Sequence, residues 1–172
     1  MKIFKELFSY FLIIIVVILL RSFIITPAQV VGNSMQPNLN NGDIILLNKI
    51  SYRFYDINRF DIVVIKYAAS TPLVKRVIGL PGEKVAYLDN KLYINNIYVK
   101  EPVYLKGTTD DYALDNDYIP DNYYFVVGDN RNNTIDSRTI GLIKREDIIG
   151  KTNYIIYPFP RLGQIERLSK GD

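Results

Sequence analysis

The residues that could do chemistry in this chain are few, because it contains neither histidine nor cysteine. Dyads and triads that use imidazole or thiolate, and metal sites built from these groups, are therefore excluded. Ser34, in the segment VGNSMQPNL, becomes a nucleophile only if a carboxylate, an amine or water takes its proton. Lys75 offers an amine inside the apolar run LVKRVIGLPG. Burial there would lower the pKa of the lysine towards neutral, as a general base requires.

Other chemistries have weaker support in the sequence. It contains no Ser-x-x-Lys, no Gly-x-Ser-x-Gly, no phosphate loop and no GxGxxG. Asp129 and Asp136 could form a carboxylate pair, but nothing assigns one as acid and the other as base. The net charge is only +3, and no dense basic stretch is interleaved with aromatic residues. We therefore expect no metal, no organic cofactor and no nucleic-acid partner.

Four segments in order, GNSMQPNL, NNGDIILL, KRVIGLPG and GDNRNNTIDSR, resemble the successive sequence boxes of type I signal peptidases of the S26 family. These are membrane-bound Ser/Lys proteases that remove signal peptides from exported proteins. The resemblance extends from the N-terminal segment to Pro158 and implies that Ser34 is the nucleophile and Lys75 its base. The plainer alternative is a solvated strand lysine. Adjacent strand residues point to opposite faces, so one of Lys75 and Arg76 can be inside and the other outside.

The resemblance also implies supporting roles in GDNRNNTIDSR. Thr134 matches a position usually held by serine, whose hydroxyl bonds and orients the lysine. Asp136 and Arg138 match an ion pair beneath the site, and Asp129 matches a structural carboxylate; a simple polar turn is the alternative for all four. Gly32 replaces a serine that donates to the oxyanion in Gram-negative members. This departure matches Gram-positive members and leaves the second oxyanion donor open.

Apolar residues near these boxes match family positions that line two shallow pockets for the substrate residues one and three before the cut. They are Val30, Val31, Met35, Leu39, Ile45, Leu73 and Val74. Branched and thioether side chains leave little room and offer no partner for a charge, so the prediction is cleavage after small-x-small sequences, with alanine best. Ordinary core packing is the alternative for each of these residues.

The elements that must position these residues begin with an N-terminal anchor. Residues 1–6 include Lys2 and Lys5, and residues 7–25 are apolar except for a few polar positions. As a helix, residues 7–25 would be about 28 Å long, enough to cross a bilayer. The preceding lysines favour a cytoplasmic N-terminus, with residues 26–172 on the outer face. The alternative is a signal peptide cleaved at Thr26-Pro27-Ala28.

The rest of the chain has the pattern of a β protein. Short β-branched runs between turn residues predict strands, and no ten-residue stretch after residue 30 has a helical period. The predicted strands cover residues 43–48, 61–67, 73–80, 84–88, 91–94, 97–99, 123–127 and 148–157. We therefore predict a mainly β fold, with a sheet or barrel-like catalytic core. The resemblance implies a small inserted β subdomain over residues 83–122, in which residues 100–122 read as a loop.

These features together predict a membrane-anchored serine endopeptidase that acts on exported preproteins at the outer face of the cell membrane. The lipid bilayer is an expected partner, and the resemblance implies the secretion translocon as another. One alternative is a catalytically inactive homologue that acts in binding or assembly, and another is a peptidase with one dedicated client. A self-cleaving Ser/Lys repressor would need a DNA-binding helix pair where the anchor stands.

Overall fold

The computed structural model describes residues 2–50, 56–67, 72–114 and 118–165. Helix α1 spans Lys2–Ile24, with side chains described for residues 6–18 only. Within the described residues, no helix is long and apolar enough to cross a membrane. Ile25, predicted as the last residue of the helix, instead begins the first strand. Its backbone pairs across to Asn48, which ends the helical hydrogen-bond pattern at this point.

The described residues form thirteen strands, which fall into two antiparallel sheets. The nine-stranded sheet contains β1 (Ile25–Gln29), β2 (Ile44–Asn48), β3 (Ile62–Ile65), β4 (Leu73–Gly79), β9 (Tyr123–Val127), β10 (Ile143–Lys144), β11 (Ile148–Thr152), β12 (Tyr154–Tyr157) and β13 (Gly163–Gln164). Its strand order is β10-β9-β4-β3-β11-β2-β12-β13, and β1 pairs with β2. One short helix, α2 (Ser137–Ile140), follows β9. The mainly β prediction is confirmed.

The smaller sheet is built from residues within the range 83–122. It contains β5 (Val85–Leu88), β6 (Lys91–Ile94), β7 (Ile97–Val99) and β8 (Tyr112–Ala113), in the order β7-β6-β5-β8. Asp89-Asn90 and Asn95-Asn96 join its hairpins, and all four of these residues have positive φ. Asparagine and aspartate tolerate that conformation better than most residues, which is why the sequence signals the turns. The expectation that residues 100–122 form only a loop misses β8.

Strand β4 lies at the centre of the molecule and is covered on both faces. Val77 packs in a cluster with Val63 and Val126, whereas Ile78 packs with Phe125 and residues of the small sheet. Lys75 and Arg76 are each only 1% exposed. The expectation that one of this pair faces solvent is therefore wrong. Because both charged side chains are almost fully buried, each needs partners inside the protein.

Candidate active site

Ser34 and Lys75, 41 residues apart in sequence, meet in the structure. The Ser34 Oγ lies 2.7 Å from the Lys75 Nζ, which is also 3.0 Å from the Val74 carbonyl oxygen. Ser34 sits in the connection between β1 and β2, and Lys75 lies on β4. Gly32 has a φ of 93°, a conformation that favours glycine, and its N–H donates to Asn41 Oδ1 at 2.9 Å. The turn therefore presents the serine hydroxyl directly to the lysine amine.

Burial prepares Lys75 to act as a base. Desolvation lowers the pKa of Lys75 from 10.5 to about 8, although the nearby carboxylates of Asp136 and Asp129 partly oppose this by raising it. A lysine with such a pKa has a sizeable neutral fraction in mildly alkaline solution. In that neutral form, the contact with Ser34 allows Nζ to accept the hydroxyl proton. The geometry and the pKa together give the pair what an activated serine requires.

A hollow of about 410 Å³ opens over this pair. It is lined by Val31, Gly32, Asn33, Ser34, Leu73, Lys75, Asn132, Asn133, Thr134 and Ile135. A larger hollow, about 780 Å³, lies elsewhere and is lined by residues that include Lys49, Tyr123 and Lys144. The smaller hollow is the candidate active site, because it contains the hydrogen-bonded Ser34 and Lys75 and the larger one contains neither.

Thr134 lines the same hollow, but its hydroxyl does not bond the lysine in this geometry. The Thr134 Oγ1 is buried and has no hydrogen-bond partner. It packs beside Gly128, where a Cβ would lie 2.3 Å from Thr134 Oγ1 and 2.6 Å from the Ser34 carbonyl oxygen. Only glycine therefore permits the backbone at 128 to pass between these two residues. The orienting role of Thr134 remains a prediction.

Asp136 and Arg138 form a bidentate ion pair near Lys75. The Arg138 Nε and Nη2 donate to the two Asp136 carboxylate oxygens at 2.9 and 2.8 Å. The Gly128 N–H donates to Asp136 Oδ2 at 3.1 Å, and the Arg138 N–H donates to Oδ1 at 3.2 Å, which caps α2. Because four donors hold this carboxylate, its position relative to the lysine is fixed.

Asp129 binds a residue to which the sequence analysis assigned no role. The Arg76 Nε and Nη2 donate to the Asp129 carboxylate at 2.8 and 2.7 Å, and Asn38 Nδ2 donates to it at 2.8 Å. Both side chains of the ion pair are at most 1% exposed. The cluster thus ties together the serine turn, β4 and the segment after β9. The sequence does indicate such a pairing, since an arginine beside Lys75 in an apolar run needs a buried carboxylate as its partner.

The seven predicted pocket residues divide into a surface layer and a deeper layer. Val31, which is 74% exposed, and Leu73 line the hollow itself. Val30, Met35, Leu39 and Ile45 are at most 3% exposed in a core cluster, and Val74 packs against them. The structure therefore brings two of the seven to the hollow and packs the other five in one cluster. Their contact with substrate remains a prediction.

Comparison with known proteins shows the family of the chain. A family model described as "Signal peptidase, peptidase S26" matches residues 3–157. The chain belongs to this family. The resemblance drawn from the four sequence segments is thereby confirmed, and this signal peptidase family member is a peptidase.

Relatives of this signal peptidase family member match over most of their length. Signal peptidase I of Bacillus caldolyticus is 38% identical over 163 residues, covering 87% of this chain and 89% of the relative. Signal peptidase IB of Staphylococcus aureus (strain Mu50 / ATCC 700699) is 34% identical over 175 residues, covering 90% and 92%. The crystal structure of a signal peptidase I from Enterococcus faecalis V583 is 34% identical with a TM-score of 0.50, covering 56% of this chain and 97% of that chain.

Proposed function

We propose that this chain is a serine endopeptidase that cleaves signal peptides from exported preproteins, with Ser34 as nucleophile and Lys75 as general base. One observation carries the assignment: a buried lysine amine lies 2.7 Å from a serine hydroxyl, in a chain with no histidine to compete for the role. The relatives, which are named signal peptidase I, supply the substrate class. An inactive homologue is disfavoured because both members of the pair are present and in contact.

The chemistry follows from this contact. Neutral Lys75 accepts the hydroxyl proton as Ser34 Oγ attacks the scissile carbonyl carbon, and the carbonyl oxygen becomes an oxyanion. The Ser34 N–H is one candidate donor to that oxygen. The protonated lysine then gives its proton to the leaving amine, which departs and leaves an ester on Ser34. Water attacks this ester while Lys75 accepts a proton from it, and the lysinium then returns that proton to the departing Ser34 Oγ, which releases the new carboxyl terminus and the free serine.

The supporting residues fit this scheme as a fixed scaffold. Asp136, held by Arg138, and Asp129, held by Arg76, keep two negative charges near the lysinium that forms during the reaction. Thr134 Oγ1 lies at the hollow without a protein partner, so we assign it the role of orienting the lysine amine during turnover. A hydroxyl that bonds the neutral amine would direct the lone pair of Nζ towards Ser34.

We assign the substrate pockets to the two apolar layers. Val31 and Leu73 form the rim, and Val30, Met35, Leu39, Ile45 and Val74 form the floor. An extended substrate would place the side chains one and three residues before the cut on the same side, facing this floor. A large or charged side chain there would clash or lose its hydration, so alanine fits best at both positions.

We also propose that residues 7–24 anchor the protein, with residues 1–6 cytoplasmic and the catalytic body at the outer membrane surface. The charge-free run 7–20 and the exposure of its apolar side chains, 63% for Leu7 and 57% for Ile13, support this. A cleaved leader is disfavoured, because Thr26-Pro27-Ala28 lies in β1 and is paired with β2. In this arrangement the bilayer and the secretion translocon are partners, and the preprotein is presented where its own hydrophobic segment ends.

The test uses the purified full-length chain in detergent with a preprotein, and mass spectrometry reads the new N-terminus of the product. Ser34→Ala and Lys75→Arg should each abolish cleavage while circular dichroism remains unchanged, because arginine does not give up its proton near neutral pH. Substrates with alanine, leucine or aspartate one and three residues before the cut test the pockets. Substantial activity in Lys75→Arg would refute the amine base, and efficient cleavage after leucine or aspartate would refute the pocket assignment.

A further inference from the structure

Arg131 belongs to the motif segment 128–138 but has no part in the chemistry described so far. Its side chain is 1% exposed and enters the region of the small sheet. The Arg131 Nη1 donates to Thr109 Oγ1 at 2.9 Å, and Nη2 donates to Glu101 Oε1. The guanidinium carbon also lies over the Tyr87 ring, 5.2 Å from its centroid. A hydroxyl, a carboxylate and an aromatic face thus hold the two terminal nitrogens and the face of the guanidinium, while Arg131 Nε is buried without a hydrogen-bond partner.

The site that receives Arg131 is built from residues 83–122. Tyr87 lies on β5 and is fully buried, Thr109 is 3% exposed, and the Glu101 side chain is 7% exposed. The Tyr87 hydroxyl lies 3.4 Å from Glu101 Oε1. These residues therefore match the guanidinium in charge and accept hydrogen bonds from both of its terminal nitrogens. Residues 83–122 are not simply an appendage, because the Glu101 carboxylate, whose side chain is only 7% exposed, pairs with a residue of segment 128–138.

The backbone of Arg131 continues this connection towards the dyad. Its carbonyl oxygen accepts a hydrogen bond from Arg138 Nη2 at 2.9 Å, and Arg138 holds Asp136. Its N–H donates to the Lys106 carbonyl oxygen at 2.8 Å, while the Lys106 N–H donates to the backbone carbonyl oxygen of Asp129 at 3.0 Å. These bonds hold Arg131 at one end of a short segment and Asp136 at the other. Residues 132–135 lie between them, and all four line the hollow over Ser34 and Lys75. The small sheet therefore holds one end of the wall of the active site.

We propose that Arg131 is a positioning residue, anchored by the small sheet, which fixes segment 132–136 against the Ser34–Lys75 pair. The inference rests on the proposed function, because the positioned groups are those of the proposed dyad. It gives the inserted residues 83–122 a role in catalysis without any contact between them and the reacting atoms. Misplacing a catalytic group by about 1 Å can cost about a hundredfold in rate, so a remote anchor of this kind can control activity.

Loosening the anchor should also change the environment of Lys75. The polar groups that face this amine are the Ser34 hydroxyl, the Val74 carbonyl oxygen and two carboxylates, Asp129 and Asp136, which are paired with Arg76 and Arg138. Burial is the strongest influence on the pKa of the lysine. If segment 132–136 moves outward and water enters, that influence weakens and the pKa rises. The activity profile should then move to higher pH.

The experiment compares Glu101→Gln with a matched control, Glu83→Gln. Glu83 also pairs with an arginine, Arg59, which also donates to the Ile78 carbonyl oxygen, so this pair likewise ties residues 83–122 to the large sheet. It makes no contact with segment 128–138 in the structure described here. Both variants of the full-length chain are assayed in detergent with one peptide substrate over pH 6 to 10, and urea unfolding gives the folded fraction. We expect Glu101→Gln to lower kcat/KM about tenfold and shift the profile to higher pH, and Glu83→Gln to do neither.

A second comparison protects the test against simple unfolding. Glu101→Gln leaves Arg131 as an unpaired buried charge, whereas the double variant Glu101→Gln/Arg131→Gln removes both charges and leaves two amides that can bond each other. The double variant should therefore be more stable than Glu101→Gln. It should regain neither the rate nor the pH profile of the wild type, because the hydrogen bond from the Arg131 guanidinium to Thr109 is lost. Activity that follows the folded fraction in all variants, with one unchanged pH profile, would overturn the inference. If Ser34→Ala instead cleaved the substrate at the wild-type rate, the proposed function itself would be overturned.

Discussion

Lys75 should lower the stability of the folded protein at neutral pH, and Lys75→Met should reveal by how much. The pKa of this lysine falls from 10.5 to about 8 on burial. A difference of about 2.5 pKa units corresponds to roughly 3 kcal/mol of free energy at 1.36 kcal/mol per unit. Methionine has a similar length and no charge, so the variant removes this penalty. It also removes the hydrogen bond to Ser34 Oγ, which costs about 1 kcal/mol.

The sign of the pH dependence follows from proton counts. Between pH 8 and pH 10.5 the unfolded chain holds a proton on Lys75 and the folded chain does not, so the free energy of unfolding of the wild type rises with pH across this window. Below pH 8 both states are protonated and the penalty is fully present. Lys75→Met should therefore be about 2 kcal/mol more stable than the wild type at pH 6. Above pH 10.5 only the lost hydrogen bond remains, and the variant should be slightly less stable.

Urea unfolding, followed by circular dichroism on the full-length chain in detergent, measures these differences at pH 6, 8 and 10. Lys91→Met is the matched control, because Lys91 is an exposed lysine on β6. Lys91→Met should not show a gain in the free energy of unfolding at pH 6 that declines as the pH rises. A Lys75→Met variant that is less stable than the wild type at pH 6, or a difference that is the same at pH 6 and pH 10, would refute the account of a buried, desolvated amine.

Three further predictions concern the surroundings of the dyad. Asp136→Asn should move the activity profile to lower pH, since the Asp136 charge raises the pKa of Lys75; a pH titration of kcat/KM checks this, and an upward shift would contradict it. Gly128→Ala should lower the free energy of unfolding by about 2 kcal/mol and impair cleavage, because the added Cβ would lie 2.6 Å from the Ser34 carbonyl oxygen; normal stability and rate would show that the backbone yields easily. Thr134→Ser should retain most activity, whereas Thr134→Val should lose at least about tenfold in kcat, since valine keeps the shape and deletes the hydroxyl; equal rates would remove Thr134 from the mechanism.

Much of the fold could be predicted from local pattern alone. Runs such as residues 43–48 and 123–127 combine β-branched and aromatic residues with turn residues at their ends, and both became strands. Four strands were missed. Three of them, β8, β10 and β13, have only two residues each, too few to show a period. The fourth, β1 (Ile25–Gln29), contains Pro27 and directly follows the apolar run that was predicted as the anchor. The predicted run 148–157 is divided between β11 and β12, a break at Asn153 that its sequence did not signal.

The candidate site was less predictable than the fold, because its partners are far apart in sequence. The proximity of Ser34 and Lys75 was implied by the family resemblance and not by any local pattern. The pairing of Arg76 with Asp129 depends on β4 and β9 being neighbours in the sheet, which the sequence does not state. For Met35, Leu39 and Ile45, a sequence does not distinguish a role in the core from a role in the floor of a pocket. Both roles require the same apolar side chains.

The order of the strands in the sheet also implies that the Ser34–Lys75 site is completed late in the chain. Ser34 and Lys75 are both synthesised in the first half of the chain, yet β4 is covered on one side by β9, which comes some fifty residues later. Until β9 and the segment after it arrive, the lysine remains hydrated, charged and unable to take a proton. We expect a chain that ends before β9 to contain a serine without an activating base. The long-range pairing of β4 with β9 therefore links the basicity of Lys75 to completion of the sheet.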